Sequence, residues 1–174
     1  MNTTKEKTVY LISGPCGVGK STLAKLLAQN IQKSALIKGD DYLSMYGEGS
    51  EPPWAEMLAI MWKNILSTTQ ILIQHDYSVI IDTVVEDELE WFCKHFAHQN
   101  LHIKYAVLRA DENKLIERLK KRGDPQLIDR SLFLLEQLEN TPVNTPYLYD
   151  TSHKKPAEIV KDIINLSQFN LVTQ

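Results

Sequence analysis

Apolar and polar positions alternate along the chain in two distinct rhythms. Short continuous apolar runs, 8–13 (TVYLIS), 35–38, 78–82 (SVIID) and 103–108 (IKYAVL), predict buried strands, and 147–149 predicts a fifth. Between them the spacing turns helical. A helix is expected over about 20–32. A long one follows Pro52 and Pro53, with Trp54, Leu58, Met61, Trp62, Ile65, Thr69 and Leu72 on one stripe, and runs to about Gln74. Residues 86–98 also read as helical. Asp111 can cap the next helix and Gly123 can end it; Asp124-Pro125 opens another toward Asn140, and Pro156 opens the last. Strands alternating with helices predict βαβ units, a parallel sheet covered on both faces, and ligand binding beyond the carboxyl ends of the strands.

The junction after the first strand carries the sharpest signal. Gly14-x-x-x-x-Gly19-Lys20-Ser21 is a complete Walker A pattern between a strand and a helix. Glycines let successive N–H groups turn toward an anion, and the helix N-terminus adds its dipole. Lys20 can reach the β- and γ-phosphates, and Ser21 can ligate Mg²⁺. The expected nucleotide contacts along this stretch are Gly14, Cys16, Gly17, Val18, Gly19, Lys20, Ser21 and Thr22. ATP is favoured over GTP, because Asn113-Lys114-Leu115-Ile116 starts like a guanine-reading motif but lacks its Asp. Cys16 reads as a small space-filler, and Cys93, His95 and His98 as packing or surface residues.

Composition changes this picture little. The chain has 174 residues, a length suited to one domain over 1–174, and a formal net charge of −3 that gives no general pull toward nucleic acid or anionic membrane. The polar opening MNTTKEK shows no apolar leader core, no run approaches a bilayer span, and two cysteines make no disulfide framework. A cytoplasmic location is expected, and monomer and homodimer both stay open.

Carboxylates fall where the strands end. Asp82 closes an apolar strand, as a Walker B Asp does, and is expected to hold Mg²⁺. Gly39-Asp40-Asp41 is expected to close the second strand. Adjacent strand residues point opposite ways, so one carboxylate should reach the site; Asp40 is favoured as the catalytic base, with Asp41 second. All four arginines, Arg109, Arg118, Arg122 and Arg130, lie within 22 residues, and Arg118 and Arg122 share a helix face. Their forks suit phosphoryl oxygens, and the Gly123 break allows a lid over about 118–130.

With GPCGVGKS, KGDD, VIID, RLKKRGD (118–124) and DTSHKKPAEIV (150–160) in this order, the chain resembles the P-loop small-molecule kinases, the group of gluconate, shikimate and nucleoside-monophosphate kinases and chloramphenicol phosphotransferase. The resemblance covers most of the chain. It implies an α/β P-loop kinase fold with a five-stranded parallel sheet and a mobile lid, ATP and Mg²⁺ as cofactors, and phosphoryl transfer to a small-molecule hydroxyl. It further implies that Arg118 stacks near the adenine, that Arg122 and Arg130 meet the phosphates, that the loop from Thr151 borders the base, and that Asp40 faces the acceptor. One departure is informative: no arginine precedes residue 109, where members with anionic acceptors place theirs. A neutral or weakly charged hydroxylated acceptor with an apolar portion is therefore expected, contacted by Tyr42, Tyr46 and Trp54, with gluconate still open. Competing readings are a kinase of nucleic-acid ends, which the thin basic face argues against, and a non-catalytic ATP-binding switch module.

Overall fold

Because its apolar runs are buried on both faces, each strand feeds two cores. The computed structural model describes residues 7–171. Strands Lys7–Ser13 (β1), Ser34–Lys38 (β2), Ser78–Asp82 (β3), Leu101–Arg109 (β4) and Leu148–Asp150 (β5) pair in parallel in one sheet, in the order β2-β3-β1-β4-β5. Val9, Leu11, Val79, Ile81, Tyr105 and Val107 face one side; Tyr10, Ile12, Ile80, Ala106 and Leu108 face the other.

Seven helices among the described residues cover the sheet: Lys20–Asn30 (α1), Gly39–Leu43 (α2), Trp54–Gln74 (α3), Leu89–Lys94 (α4), Glu112–Arg122 (α5), Ile128–Asn140 (α6) and Pro156–Asn165 (α7). The first core takes Met61, Trp62 and Ile65 of α3 and Phe92 of α4. The second takes Leu23 and Leu27 of α1, Leu115 of α5, Leu135 of α6 and Ile159 and Ile163 of α7. The α5 helix ends at Gly123 in the left-handed region (φ 86°), where the Asp124 N–H returns to the Leu119 carbonyl at 3.0 Å.

Three expectations need correction. Residues 39–41 do not close a strand: β2 passes directly into α2, so strand alternation cannot sort Asp40 from Asp41, and both lie in the first helical turn. That five-residue helix is too short to show a period in the sequence. The helix expected over 86–98 shrinks to Leu89–Lys94, because Glu88 Oε2 accepts the N–H groups of Glu86 and Asp87 (3.0 and 3.1 Å) and holds 86–88 in a turn. The helix expected from Asp124-Pro125 begins as a 3-10 turn, Pro125–Leu127, before α6.

Register brings the chemistry to one level. Ile12 and Lys38 both pair with Asp82, so the carboxyl ends of β1, β2 and β3 coincide. Gly39 is what lets α2 start there: a Cβ on it would lie 2.4 Å from Thr83 Oγ1 and 2.9 Å from Thr83 Cβ. Gly39→Ala is expected to cost about 1–3 kcal/mol of stability by overpacking. Gly39→Ala/Thr83→Ala, which removes the 2.4 Å contact but keeps the 2.9 Å one, should recover part of it in urea unfolding; a fully additive pair would show that this contact is not the constraint.

Candidate active site

The loop after β1 enters a cleft of about 480 Å³ at the carboxyl end of the sheet. Residues 16–23 form its floor. Asp40, Asp82, Thr83 and Val84 line one wall; Leu108, Arg118, Arg122 and Leu127 line another; Thr151, Lys154, Pro156 and Ile159 close the far end. Gly14 (φ 144°) lies beneath the floor, where a Cβ would meet the Leu108 carbonyl at 2.6 Å. The loop therefore packs on β4 with no room for a side chain.

Lys20 Nζ folds back on its own loop and donates to the Gly14 and Pro15 carbonyls at 2.9 and 3.0 Å. Burial lowers the ammonium's pKa, and Asp82, Cys16 and Asp40 partly oppose that shift, while Arg122 adds to it. Asp82, itself buried, is raised by burial, against a hydrogen bond from Ser21 and attraction to Lys20; Asp40 pushes it further up. Lys20, Ser21, Asp40 and Asp82 thus share one electrostatic neighbourhood.

The Ser21 hydroxyl and the Asp82 carboxylate are a pair of hard oxygen donors that line the same cleft, near enough for Ser21 to lower the Asp82 pKa. No group of three or more metal-binding His, Cys, Asp or Glu occurs among the described residues. This set fits Mg²⁺, which takes one or two protein oxygens and completes its shell with phosphate and water.

The arginines do not act as one cluster. Arg118 lines the cleft and donates from Nη1 to the Val18 carbonyl at 3.1 Å. Arg122 lines it too and pairs with Asp124 beyond the helix end. Arg130 is outside the lining: its Nη2 pairs with Glu86 Oε1 at 2.7 Å and its guanidinium lies over Phe133. Arg109 ties Glu139 of α6 to Asp150 of β5.

The expected acceptor contacts are also separated. Asp40 and Asp41 are both exposed, and of the two only Asp40 lines the cleft. The Tyr42 hydroxyl bonds Thr68 Oγ1 at 3.0 Å, and its ring packs on the core. The Tyr46 hydroxyl is buried without a partner, and Trp54 is 56% exposed; neither lines the nucleotide cleft. A second hollow, about 400 Å³, lies between α3 and the approach to α4, lined by Ala55, Leu58, Ala59, Trp62, Lys63, Glu88 and Trp91. Thr151 is buried and lines the far end, with its hydroxyl committed to the Arg109 carbonyl at 3.0 Å.

Sequence reasoning passed over Thr83, Lys154 and Ser131. Thr83 follows Asp82 at a strand end, a position that topology alone marks as facing the ligand. Lys154 sits inside the quoted DTSHKKP stretch. Ser131, fully buried, donates to the Cys16 carbonyl at 2.7 Å, and no sequence signal singles it out.

A family model described as an AAA domain matches residues 11–139, from the glycine loop through most of α6. The chain belongs to this P-loop family. Solved structures share the fold. A tunicamycin resistance protein from Deinococcus radiodurans superposes with a TM-score of 0.66 at 18% identity, over 94% of this chain and 98% of its own. A gluconokinase from Sinorhizobium meliloti gives 0.58 at 17%, over 91% and 90%. The Mycobacterium tuberculosis APS kinase CysC, in complex with AMPPNP and APS, gives 0.62 at 16%, over 92% and 96%. At these identities the likeness is one of fold, the P-loop kinase fold. No curated protein compared with the chain matches it by sequence.

The net burial cost on Lys20 gives a signed prediction. Its folded pKa lies below the unfolded value, so the charged form is penalised at neutral pH, and the penalty fades as pH rises through the folded pKa toward the ordinary lysine value of 10.5. Lys20→Met is expected to melt about 2–4 °C above the wild type at pH 7 without nucleotide, to lose stabilisation by Mg·ATP, and to see its advantage shrink toward pH 10. A variant that melts lower at pH 7 would contradict the sign.

Proposed function

We propose that the protein is an ATP-dependent kinase that phosphorylates a hydroxyl of a small molecule. The observation carrying this reading is the convergence of Lys20, Ser21, Asp82 and Asp40 on one cleft from three elements, α1, β3 and α2. Nucleotide phosphates would take the N–H groups of 16–22, and Lys20 would leave its loop carbonyls for the β- and γ-phosphates. Mg²⁺ held through Ser21 and Asp82 supplies charge neutralisation between those phosphates. Asp40, at the start of α2, accepts the acceptor's hydroxyl proton as its oxygen bonds to the γ-phosphorus and ADP leaves. Arg118, with Thr151 and Lys154, borders the base. The segment over 118–130 acts as a lid hinged at Gly123, carrying Arg122 onto the transferring group, and Arg130 once it leaves Glu86.

Charge supports a non-anionic acceptor. Residues 39–93 carry eleven of the chain's 22 acidic residues and one of its 19 Lys and Arg, Lys63. An anion approaching Asp40 from this side meets like charge, with the one guanidinium on that face, Arg130, already paired to Glu86. The Trp62–Trp91 hollow offers an apolar wall for a hydroxylated molecule with an apolar portion.

ADP release from Mg·ATP is the test, run against polyols and gluconate, nucleosides and their monophosphates, chloramphenicol-like alcohols, aminoglycosides and a 5′-hydroxyl oligonucleotide. One neutral or amine-bearing alcohol should stimulate turnover, and Asp40→Asn should lower it about 10²–10⁴-fold while ATP binding survives. Selective use of a nucleoside monophosphate would overturn the acceptor reading. Salt-sensitive use of the oligonucleotide would favour a nucleic-acid kinase. A flat panel with intact ATP binding would point to a binding module.

A further inference from the structure

The α5–α6 hairpin grips the glycine loop through two hydrogen bonds, and both end on backbone carbonyls. Ser131 Oγ holds the Cys16 carbonyl at 2.7 Å, and Arg118 Nη1 holds the Val18 carbonyl at 3.1 Å. In a trans peptide the carbonyl and the next residue's N–H point in opposite directions, and no described peptide is cis. Fixing the Cys16 carbonyl against α6 therefore turns the Gly17 N–H away from α6. Fixing the Val18 carbonyl does the same for the Gly19 N–H. Both glycines line the cleft, and among the described residues neither N–H has a partner within the protein.

A loop so rich in glycine can rotate its peptide planes at little cost. A rotated Cys16–Gly17 plane would aim a carbonyl, the negative end of the dipole, at a bound anion. Ser131 is 0% exposed, on the second turn of a thirteen-residue helix. The preceding residue, Arg130, anchors the same stretch to Glu86. The donor thus comes from the buried face of a helix that is held beside it while the Arg130–Glu86 pair is made.

We propose that Ser131 is a positioning residue for phosphate: by holding the Cys16 carbonyl it presets the Gly17 N–H toward the nucleotide's phosphates. This rests on the nucleotide reading of the cleft. It also makes α6 part of the phosphate cradle, so any lid movement that shifts α6 changes phosphate affinity with no new contact to the phosphate.

The test separates phosphate from base. Tripolyphosphate and adenosine are each titrated, on the full chain, as competitors of a fluorescent ATP analogue. Ser131→Ala should weaken tripolyphosphate about tenfold and leave adenosine within about twofold. In the wild type the Gly17 amide resonance should move on adding tripolyphosphate, and in the variant it should move less. Ser131→Cys, close in size and a weaker donor, should fall between and serves if the Ala variant does not fold. Equal losses for both competitors, or no loss for either, would overturn the positioning role. A wild type that binds the analogue but is indifferent to tripolyphosphate would overturn it too. Failure of the wild type to bind the analogue at all would overturn the nucleotide reading and this inference with it.

Discussion

Two opposite charges held out of water in one cleft are the constraint around which the rest is arranged. Burial lowers Lys20 and raises Asp82, so each disfavours its own charged form, and their mutual attraction only partly offsets that. A chain selected for stability alone would not keep them. The sheet is what forces them together. Because β3 pairs directly with β1, Asp82 stands level with Ile12, two residues before the glycine loop begins at Gly14. Lys20, on the first position of α1, is then bent onto the Gly14 and Pro15 carbonyls, the nearest acceptors. Phosphate oxygens and a divalent cation would answer both charges at once, and the local instability is intelligible only with such a ligand in view.

The frame around that pair was legible because its signals are local. Continuous apolar runs such as 78–82 can only be strands buried on both faces, and the Walker A spacing ties three chemistries to one turn. The long α3 declared itself by period, and Met61, Trp62 and Ile65 are core, as a helical stripe implies. Where the sequence misled, a side chain intervened. Glu88 captured two backbone N–H groups and cut a helix short. Gly39 read as the close of a strand, yet it is a packing requirement imposed by Thr83, 44 residues away and just past the end of β3. Tyr42, Tyr46 and Trp54 looked equivalent in a polar loop; a hydroxyl bond to Thr68, burial and exposure now distinguish them. Ser131 had no signal at all, since one serine in a helix pattern carries no period, spacing or charge.

Charge is divided as sharply as structure. Residues 39–93 hold one cationic side chain and eleven carboxylates, while every arginine lies beyond residue 108. A polyanion such as ATP meets opposite potentials on the two sides of the same cleft. On the proposed reading, the glycine loop, Lys20, Arg118 and Arg122 would draw its phosphates, while Asp40 and the carboxylates behind it would repel them.

That division bears on how a kinase avoids binding its donor in the acceptor's place. Enzymes whose acceptor is itself a phosphate ester must attract anions on both sides and then discriminate by shape. On the proposed kinase reading, the carboxylates of 39–93 would disfavour a second nucleotide by charge. The cost is that Asp40 and Asp82 repel each other, as the upward push of Asp40 on Asp82 records. On the proposed reading, Asp40 would stand beside the carboxylate that holds the metal, where a proton acceptor is needed. On that reading, one charge arrangement would serve both selectivity and proton transfer, with Lys20, Arg118, Arg122 and Lys154 supplying the cations that line the cleft.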